Sequence, residues 1–159
     1  MIILGIDPGY GRTGYAVLRV RGPQRIDLIT YGCIETAKTL EHHKRLTQLD
    51  KEVRNIIVRY KPDLLAIEKL FFVKNVTTAL RVGEARGVVL AAVGTWKMHV
   101  VEFSPAEVKQ AVTGYGNATK MQIQRMTQKL FNLKKMITPD DAADAVAIAW
   151  AASSQKHAL

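Results

Sequence analysis

The start of the chain carries apolar patterns that are typical of β-strands. Residues 2–7 form a short apolar run, and residues 14–20 alternate between apolar and polar positions. Residues 27–35 are also rich in strand-forming residues and come after the Gly-Pro turn at 22–23. The pattern therefore predicts three strands, paired antiparallel through short turns.

Beyond residue 40, helical spacing of apolar residues alternates with short apolar runs. The runs 64–68 and 99–103 predict two further strands. Five helices are predicted: one ending near Pro62, one over about 76–94, one starting at a Ser104–Glu107 capping box, one over about 118–131, and one starting at Thr138-Pro139 in the same way. This order predicts an α/β fold, with a mixed five-stranded sheet and helices on both faces, in one domain over 1–159.

The loop after the first strand carries glycines in the spacing G-x-G-x-x-G, at Gly9, Gly11 and Gly14. In a dinucleotide-binding turn the last glycine enters a helix, so that the pyrophosphate lies at the helix N-terminus. Here Gly14 enters the strand-like segment 15–18, and no Gly-Lys-Ser/Thr of a P-loop is present. The loop therefore predicts a β-hairpin and not a nucleotide site.

Composition is that of an ordinary soluble globular protein, with 48% hydrophobic and 23% charged residues in 159. No apolar run approaches the roughly 20 residues of a membrane helix, and the opening run is too short for a signal peptide. The single cysteine, Cys33, cannot form an internal disulfide. We therefore expect a reducing, cytoplasmic setting and no membrane association.

The chain is strongly basic, with a formal net charge of +9. Between residues 104 and 138 the only acid is Glu107, whereas six basic residues occur: Lys109, Lys120, Arg125, Lys129, Lys134 and Lys135. A segment of one charge sign that also carries Tyr115 favours binding to a phosphate backbone. A merely solvated surface is the alternative.

Several acids stand at the ends of predicted elements. Asp7 and Glu68 each close an apolar strand, and Asp144 lies within the first turns of an apolar helix, on one face with either Asp140 or Asp141. Turn capping explains Asp7 alone, and the helix dipole explains an acid in a first turn. Together, without a His or Cys cluster, these acids favour oxygen coordination of Mg²⁺ or Mn²⁺. Two such ions about 3.5–4 Å apart can hydrolyse a phosphodiester.

Small residues recur on one stripe of the helix predicted over 76–94. Gly83, Gly87 and Ala91 are spaced four apart, which lets another helix approach closely. Two interpretations remain open from the pattern alone: packing against the sheet of the same protomer, or a dimer seam.

Three stretches of the chain resemble the RuvC family of Holliday-junction resolvases: GIDPGYGRTGYAV, PDLLAIEKLFFVKNVTTALRVGEARGVV and DDAADAVAIAWA. The resemblance runs from about residue 2 to residue 152, and its middle stretch is the most specific. It implies an RNase H-like fold, a homodimer, and Mg²⁺-dependent cutting of four-way DNA junctions by paired symmetric nicks. It also favours the dimer interpretation of the stripe of small residues.

The resemblance assigns roles residue by residue. Its four metal-binding carboxylates fall on Asp7, Glu68, Asp141 and Asp144, so that the D-A-A-D spacing selects Asp141 and leaves Asp140 as an extra acid beside the motif. Lys109 and Lys120 match lysines near the scissile phosphate, and Phe71 matches an aromatic residue that stacks on an opened base. Lys74, Tyr115 and Arg125 complete the expected DNA contacts.

The resemblance further implies two Mg²⁺ ions per site, replaceable by Mn²⁺. It also implies contact with the RuvA–RuvB branch-migration complex and a location at the bacterial nucleoid in the cytoplasm. Two other functions remain as alternatives: a nuclease of the same fold that acts on RNA–DNA hybrids, and a non-catalytic scaffold that binds junctions.

Overall fold

A computed structural model describes residues 1–22, 25–70 and 76–154 of the chain. The strands in it are β1 (Ile2–Asp7), β2 (Arg12–Gly22), β3 (Arg25–Glu35), β4 (Leu64–Glu68) and β5 (His99–Phe103). They form one sheet in the order β3-β2-β1-β4-β5. The first three strands pair antiparallel, and β4 and β5 add parallel to β1 and β4. The mixed five-stranded sheet predicted from the sequence is confirmed.

The described helices are α1 (His42–Tyr60), α2 (Val76–Gly94), α3 (Pro105–Thr113), α4 (Lys120–Leu130) and α5 (Asp140–Ser154). As predicted, α3 starts with a capping box between Ser104 and Glu107. A second capping box, which the sequence analysis did not use, joins Thr119 and Gln122 at the start of α4. The last helix starts one residue later than predicted, because the Pro139 carbonyl already accepts the first intrahelical hydrogen bonds.

The two faces of the sheet are covered by different helices. Leu4 and Ile6 of β1 belong to the core cluster beneath α1 and α2, whereas Ile3 belongs to the cluster beneath α5. By the two-residue period of a strand, Gly5 and Asp7 face α5 as well. A β-carbon at Gly5 would collide with the Ala145 carbonyl oxygen, so this glycine lets α5 lie directly on the sheet. None of the described helices is long and apolar enough to cross a membrane.

Candidate active site

Parallel pairing brings two acids together at the carboxyl ends of neighbouring strands. The register of β1 and β4 runs up to the pair Ile6 and Ile67, so Asp7 and Glu68 are the next residues on each strand. Ala66 lies in the core cluster beneath α5, and the side chain two residues later therefore faces the same helix. Asp7 and Glu68 thus project toward the start of α5.

The amino terminus of α5 is held against β2 at the point where β2 pairs with the end of β1. Gly14 pairs with Asp7, and a β-carbon at Gly14 would collide with the carbonyl oxygen of Asp141. Only glycine permits this approach. It places Asp141 and Asp144, both in the first turns of α5, beside the strand ends.

One cavity of about 270 Å³ opens at this corner of the fold. Its charged lining consists of three acids and two bases, and its walls are apolar. The lining residues are Asp7, Glu68, Pro105, Val108, Lys109, Lys120, Ile123, Asp144, Ala147 and Ile148. Asp141 is adjacent to the cavity but is absent from this lining.

The cavity strongly disfavours the ionised form of Asp7. Burial raises the pKa of this carboxyl from the ordinary 3.8 to about 7, assisted by repulsion from Asp144, Glu68 and Asp141. The nearby Lys120 ammonium opposes the rise without cancelling it. A further cation beside Asp7 would therefore favour its ionised form.

The two other acids of the cavity are perturbed in the same direction. Burial, followed by repulsion from Asp144, raises the pKa of Glu68, although Lys109 partly offsets the effect. Burial also raises the pKa of Asp144 above its ordinary value despite an ion pair with Lys120. Three carboxyls with raised pKa values in one cleft are typical of a functional site.

Two cations from the chain contact the acids of α5. The Lys120 Nζ atom lies 3.3 Å from Asp144 Oδ2 and 3.2 Å from Asp140 Oδ2. Burial acts to lower the pKa of Lys120, but these two carboxylates raise it overall. The Arg12 guanidinium lies 3.0 Å from Asp141 Oδ2. Each acid in the first turns of α5 is therefore already ion-paired.

Asp140 differs from its neighbours because it faces outward. Its carboxylate is 59% exposed and accepts a 2.9 Å hydrogen bond from the Gln124 side chain. The hydrogen bond from Lys120 lowers its pKa. Asp140 thus has the contacts of an exposed acid in a first turn and does not line the cavity.

The donor set suits a hard divalent cation. All of its acidic donors are oxygens, which Mg²⁺ and Mn²⁺ prefer, and such an ion would stabilise the ionised form of Asp7. Within the described ranges, no three acidic, histidine or cysteine side chains already converge at metal-binding distance. In this arrangement the Asp141 carboxylate is ion-paired with Arg12 and the Asp144 carboxylate with Lys120.

Other residues that the sequence analysis did not single out fix the backbone around the acids. The nearly buried Arg45 donates to the Tyr10 carbonyl at 3.2 Å and to Thr36 Oγ1 at 2.9 Å, and its guanidinium lies 3.9 Å above the Tyr10 ring. At the other strand end, Arg86 donates to the Glu68 carbonyl at 3.2 Å. An arginine at a core position of α1, among apolar residues, is the sequence signal for such a contact.

The other residues predicted to contact DNA differ in how far the structure describes them. Lys109 is partly buried in the cavity wall, whereas Tyr115 and Arg125 are exposed on the surface of the basic segment. Phe71 and Lys74 lie outside the described residues, so their predicted DNA contacts stay predictions.

The chain matches the family model described as "Crossover junction endodeoxyribonuclease RuvC" over residues 3–152. A relative of that name from Petrotoga mobilis is 55% identical over 150 residues, which cover 94% of this chain and 91% of the relative. The Thermotoga petrophila relative is 49% identical over 158 residues, which cover 99% of this chain and 95% of the relative.

Solved structures give the same result. The chain superposes on Thermus thermophilus RuvC, solved in complex with Holliday junction substrate, with a TM-score of 0.91 and 31% identity over 96% of this chain and 93% of that one. The yeast mitochondrial Holliday junction resolvase Ydc2 shares the fold, with a TM-score of 0.68 at 14% identity. The expected RNase H-like fold is confirmed, and the chain belongs to the RuvC family of crossover junction endodeoxyribonucleases.

Proposed function

We propose that this protein is an endonuclease that resolves four-way DNA junctions, and that it acts through divalent cations held by Asp7, Glu68, Asp141 and Asp144. The observation that carries the proposal is the cavity at the ends of β1 and β4, where three of these carboxylates meet two lysines. A site of this composition has the acids to bind cations and the bases to bind a phosphate. Membership of the RuvC family supports the same activity.

Mg²⁺ is the proposed cofactor, with two ions in each site and Mn²⁺ as a substitute. Asp7 is central among the acids, because repulsion from each of the other three contributes to its raised pKa. It would hold the ions together with Glu68, Asp141 and Asp144. When bound, such ions activate water for in-line attack and stabilise the leaving oxygen, which yields a 5′-phosphate and a 3′-hydroxyl.

The protein's own bases act on the DNA. Lys109 and Lys120 line the cavity and would offset negative charge that develops on the scissile phosphate. Arg125 and Tyr115 are exposed and would contact the flanking backbone, together with Phe71 and Lys74 from the segment after β4. The net charge of +9 supplies affinity without sequence information.

We further propose a homodimer through α2. On this helix Val76 is 78% and Leu80 is 64% exposed, and a β-carbon at Gly87 would meet no atom within 4 Å. Gly83 lies beside Leu70 of the same protomer, but Gly87 and Ala91 are exposed and continue the apolar surface of Val76 and Leu80, which supports the seam interpretation. Two sites related by a two-fold axis suit a junction of nearly two-fold symmetry.

Two attributes rest on the family alone. They are contact with the RuvA–RuvB branch-migration complex and a place at the bacterial nucleoid in the cytoplasm. The single nuclease domain over 1–159 is proposed from the order of the elements. A pull-down of RuvA–RuvB with the purified protein, in the presence and absence of junction DNA, tests the contact with that complex.

The experiment that tests the metal and carboxylate assignment compares two variants on a synthetic junction. Glu68→Gln keeps the shape of the side chain but removes its charge, so we expect junction binding in Ca²⁺ within about twofold of the wild type and no cutting in Mg²⁺. Asp27→Asn removes an exposed acid from β3 and serves as the control that cuts normally. Normal cutting by Glu68→Gln would refute the assignment of Glu68 as a metal-binding carboxylate.

A further inference from the structure

Arg12 stands at the first position of β2, next to the candidate active site, and the functions proposed above give it no role. Its guanidinium lies 3.0 Å from Asp141 Oδ2 and 3.6 Å from Glu35 Oε1. The Arg12 side chain is 48% exposed and that of Asp141 is 30% exposed, so the pair is accessible to water and to ions.

The position of this ion pair explains why Asp141 is outside the cavity lining. Asp7, Glu68 and Asp144 line the cavity, whereas the fourth proposed ligand is turned toward Arg12. The backbone of Asp141 cannot move toward the sheet, because its carbonyl oxygen is already packed against Gly14. Exchange of the guanidinium for another cation therefore requires movement of the Arg12 or the Asp141 side chain.

We propose that Arg12 is a positioning residue that holds Asp141 away from the cavity in the metal-free protein and competes with the divalent cation for this carboxylate. The inference rests on the proposed function, because it takes Asp141 as a metal ligand. Arg12 thus sets how much divalent cation is needed to complete the site.

Partial exposure limits the strength of this competition. Exposed ion pairs are weak, and the resulting loss of metal affinity is up to about fivefold. A divalent ion attracted by all the acids of the cavity still displaces the arginine. Lys120 holds Asp144 in a similar way but also contacts Asp140 and lines the cavity, so Arg12 is the residue whose removal tests the idea cleanly.

The test measures binding of Ca²⁺ to the purified full-length protein by isothermal titration calorimetry, without DNA. We expect Arg12→Met to bind Ca²⁺ about three- to fivefold more tightly than the wild type. The matched control is Arg21→Met, which removes an arginine of the same strand from a 3.0 Å ion pair with Asp27. It should change the affinity by less than about twofold.

The variant Asp141→Asn separates the specific effect from a general change of charge. If Arg12 acts through Asp141, the double variant Arg12→Met/Asp141→Asn binds Ca²⁺ like Asp141→Asn alone, within about twofold. Circular dichroism spectra verify that all variants are folded. The Mg²⁺ concentration that gives half-maximal junction cutting should fall for Arg12→Met in parallel with the Ca²⁺ constant.

Unchanged or weaker Ca²⁺ binding by Arg12→Met would overturn the inference and leave the proposed function standing. An equal gain in Ca²⁺ affinity from Arg12→Met in the wild type and in Asp141→Asn would also overturn it, because Arg12 would then act only through its charge. Absence of Ca²⁺ binding by the wild type, together with absence of metal-dependent cutting, would refute the proposed function and the inference with it.

Discussion

Asp7 is a carboxyl that the fold stabilises in its protonated form, so its replacement by a neutral isostere should stabilise the metal-free protein. Its pKa is about 7 in the folded state and near the ordinary 3.8 in the unfolded chain. A carboxyl with a raised folded-state pKa leaves stability unaffected below pH 3.8. It lowers stability progressively as the pH rises toward 7, and by a constant amount above that.

The magnitude follows from the interval between the two pKa values. Roughly three pH units at about 1.4 kcal/mol each give a ceiling of about 4 kcal/mol. Water and salt ions that enter the cavity reduce the penalty, and we expect about 2 kcal/mol. For a chain of this length, that corresponds to a rise in Tm of about 4 to 8 °C for Asp7→Asn at pH 8 without divalent ions.

Thermal unfolding followed by circular dichroism, at one protein concentration and at several pH values from 5 to 8.5, measures the difference. The advantage of Asp7→Asn should grow up to about pH 7 and then stay level, and saturating Mg²⁺ should stabilise the wild type more than the variant. Asp27→Asn, an exposed acid, should change stability by less than about 0.5 kcal/mol. A variant that is no more stable than the wild type at pH 8 would refute the reasoning.

Three further experiments test the site and the dimer. Asp141→Asn should reduce junction cutting at least about tenfold more than Asp140→Asn, because Asp140 is exposed and bound to Gln124; the opposite order in a cleavage time course would exchange their roles. Gly14→Ala should cost about 3 kcal/mol or more in urea unfolding, because its β-carbon collides with backbone; a neutral effect would contradict the close approach. Leu80→Glu places a charge on the proposed dimer surface of α2 and should convert the dimer to a monomer, which halves the mass in analytical ultracentrifugation. Val58→Glu, at an exposed position of α1, is the control that should stay dimeric. A Leu80→Glu variant that stays dimeric would exclude the seam at α2.

Local chemistry made much of the fold predictable. Short apolar runs and one alternating segment located the strands, and the Ser104 capping box located the start of α3, because these patterns depend on near neighbours in the chain. The bounds of α2 agree with the predicted 76–94. The start of α5 was predicted one residue early, with Pro139 as the first helical residue. In the structure Pro139 is the residue before the helix, and its carbonyl accepts hydrogen bonds from Ala142 and Ala143.

Contacts between side chains far apart in the chain were harder to predict. The acids at strand ends were identified from their sequence positions, and the parallel register of β1 and β4 brings Asp7 and Glu68 together. The ion pair between Arg12 and Asp141 joins residues far apart in the chain, and no local pattern specifies it. The contacts of Arg45 depend likewise on how α1 docks beside the opening loop.

The most direct test of junction resolution by this protein is one cleavage gel. The purified protein is incubated with Mg²⁺ and a synthetic mobile four-way DNA junction, beside a linear duplex and an RNA–DNA hybrid of matched sequence. We expect paired, symmetric nicks confined to the junction, with ends that ligase can seal. Cutting of the duplex or the hybrid in preference to the junction, or binding of the junction without any cutting in Mg²⁺ or Mn²⁺, would contradict the proposed function.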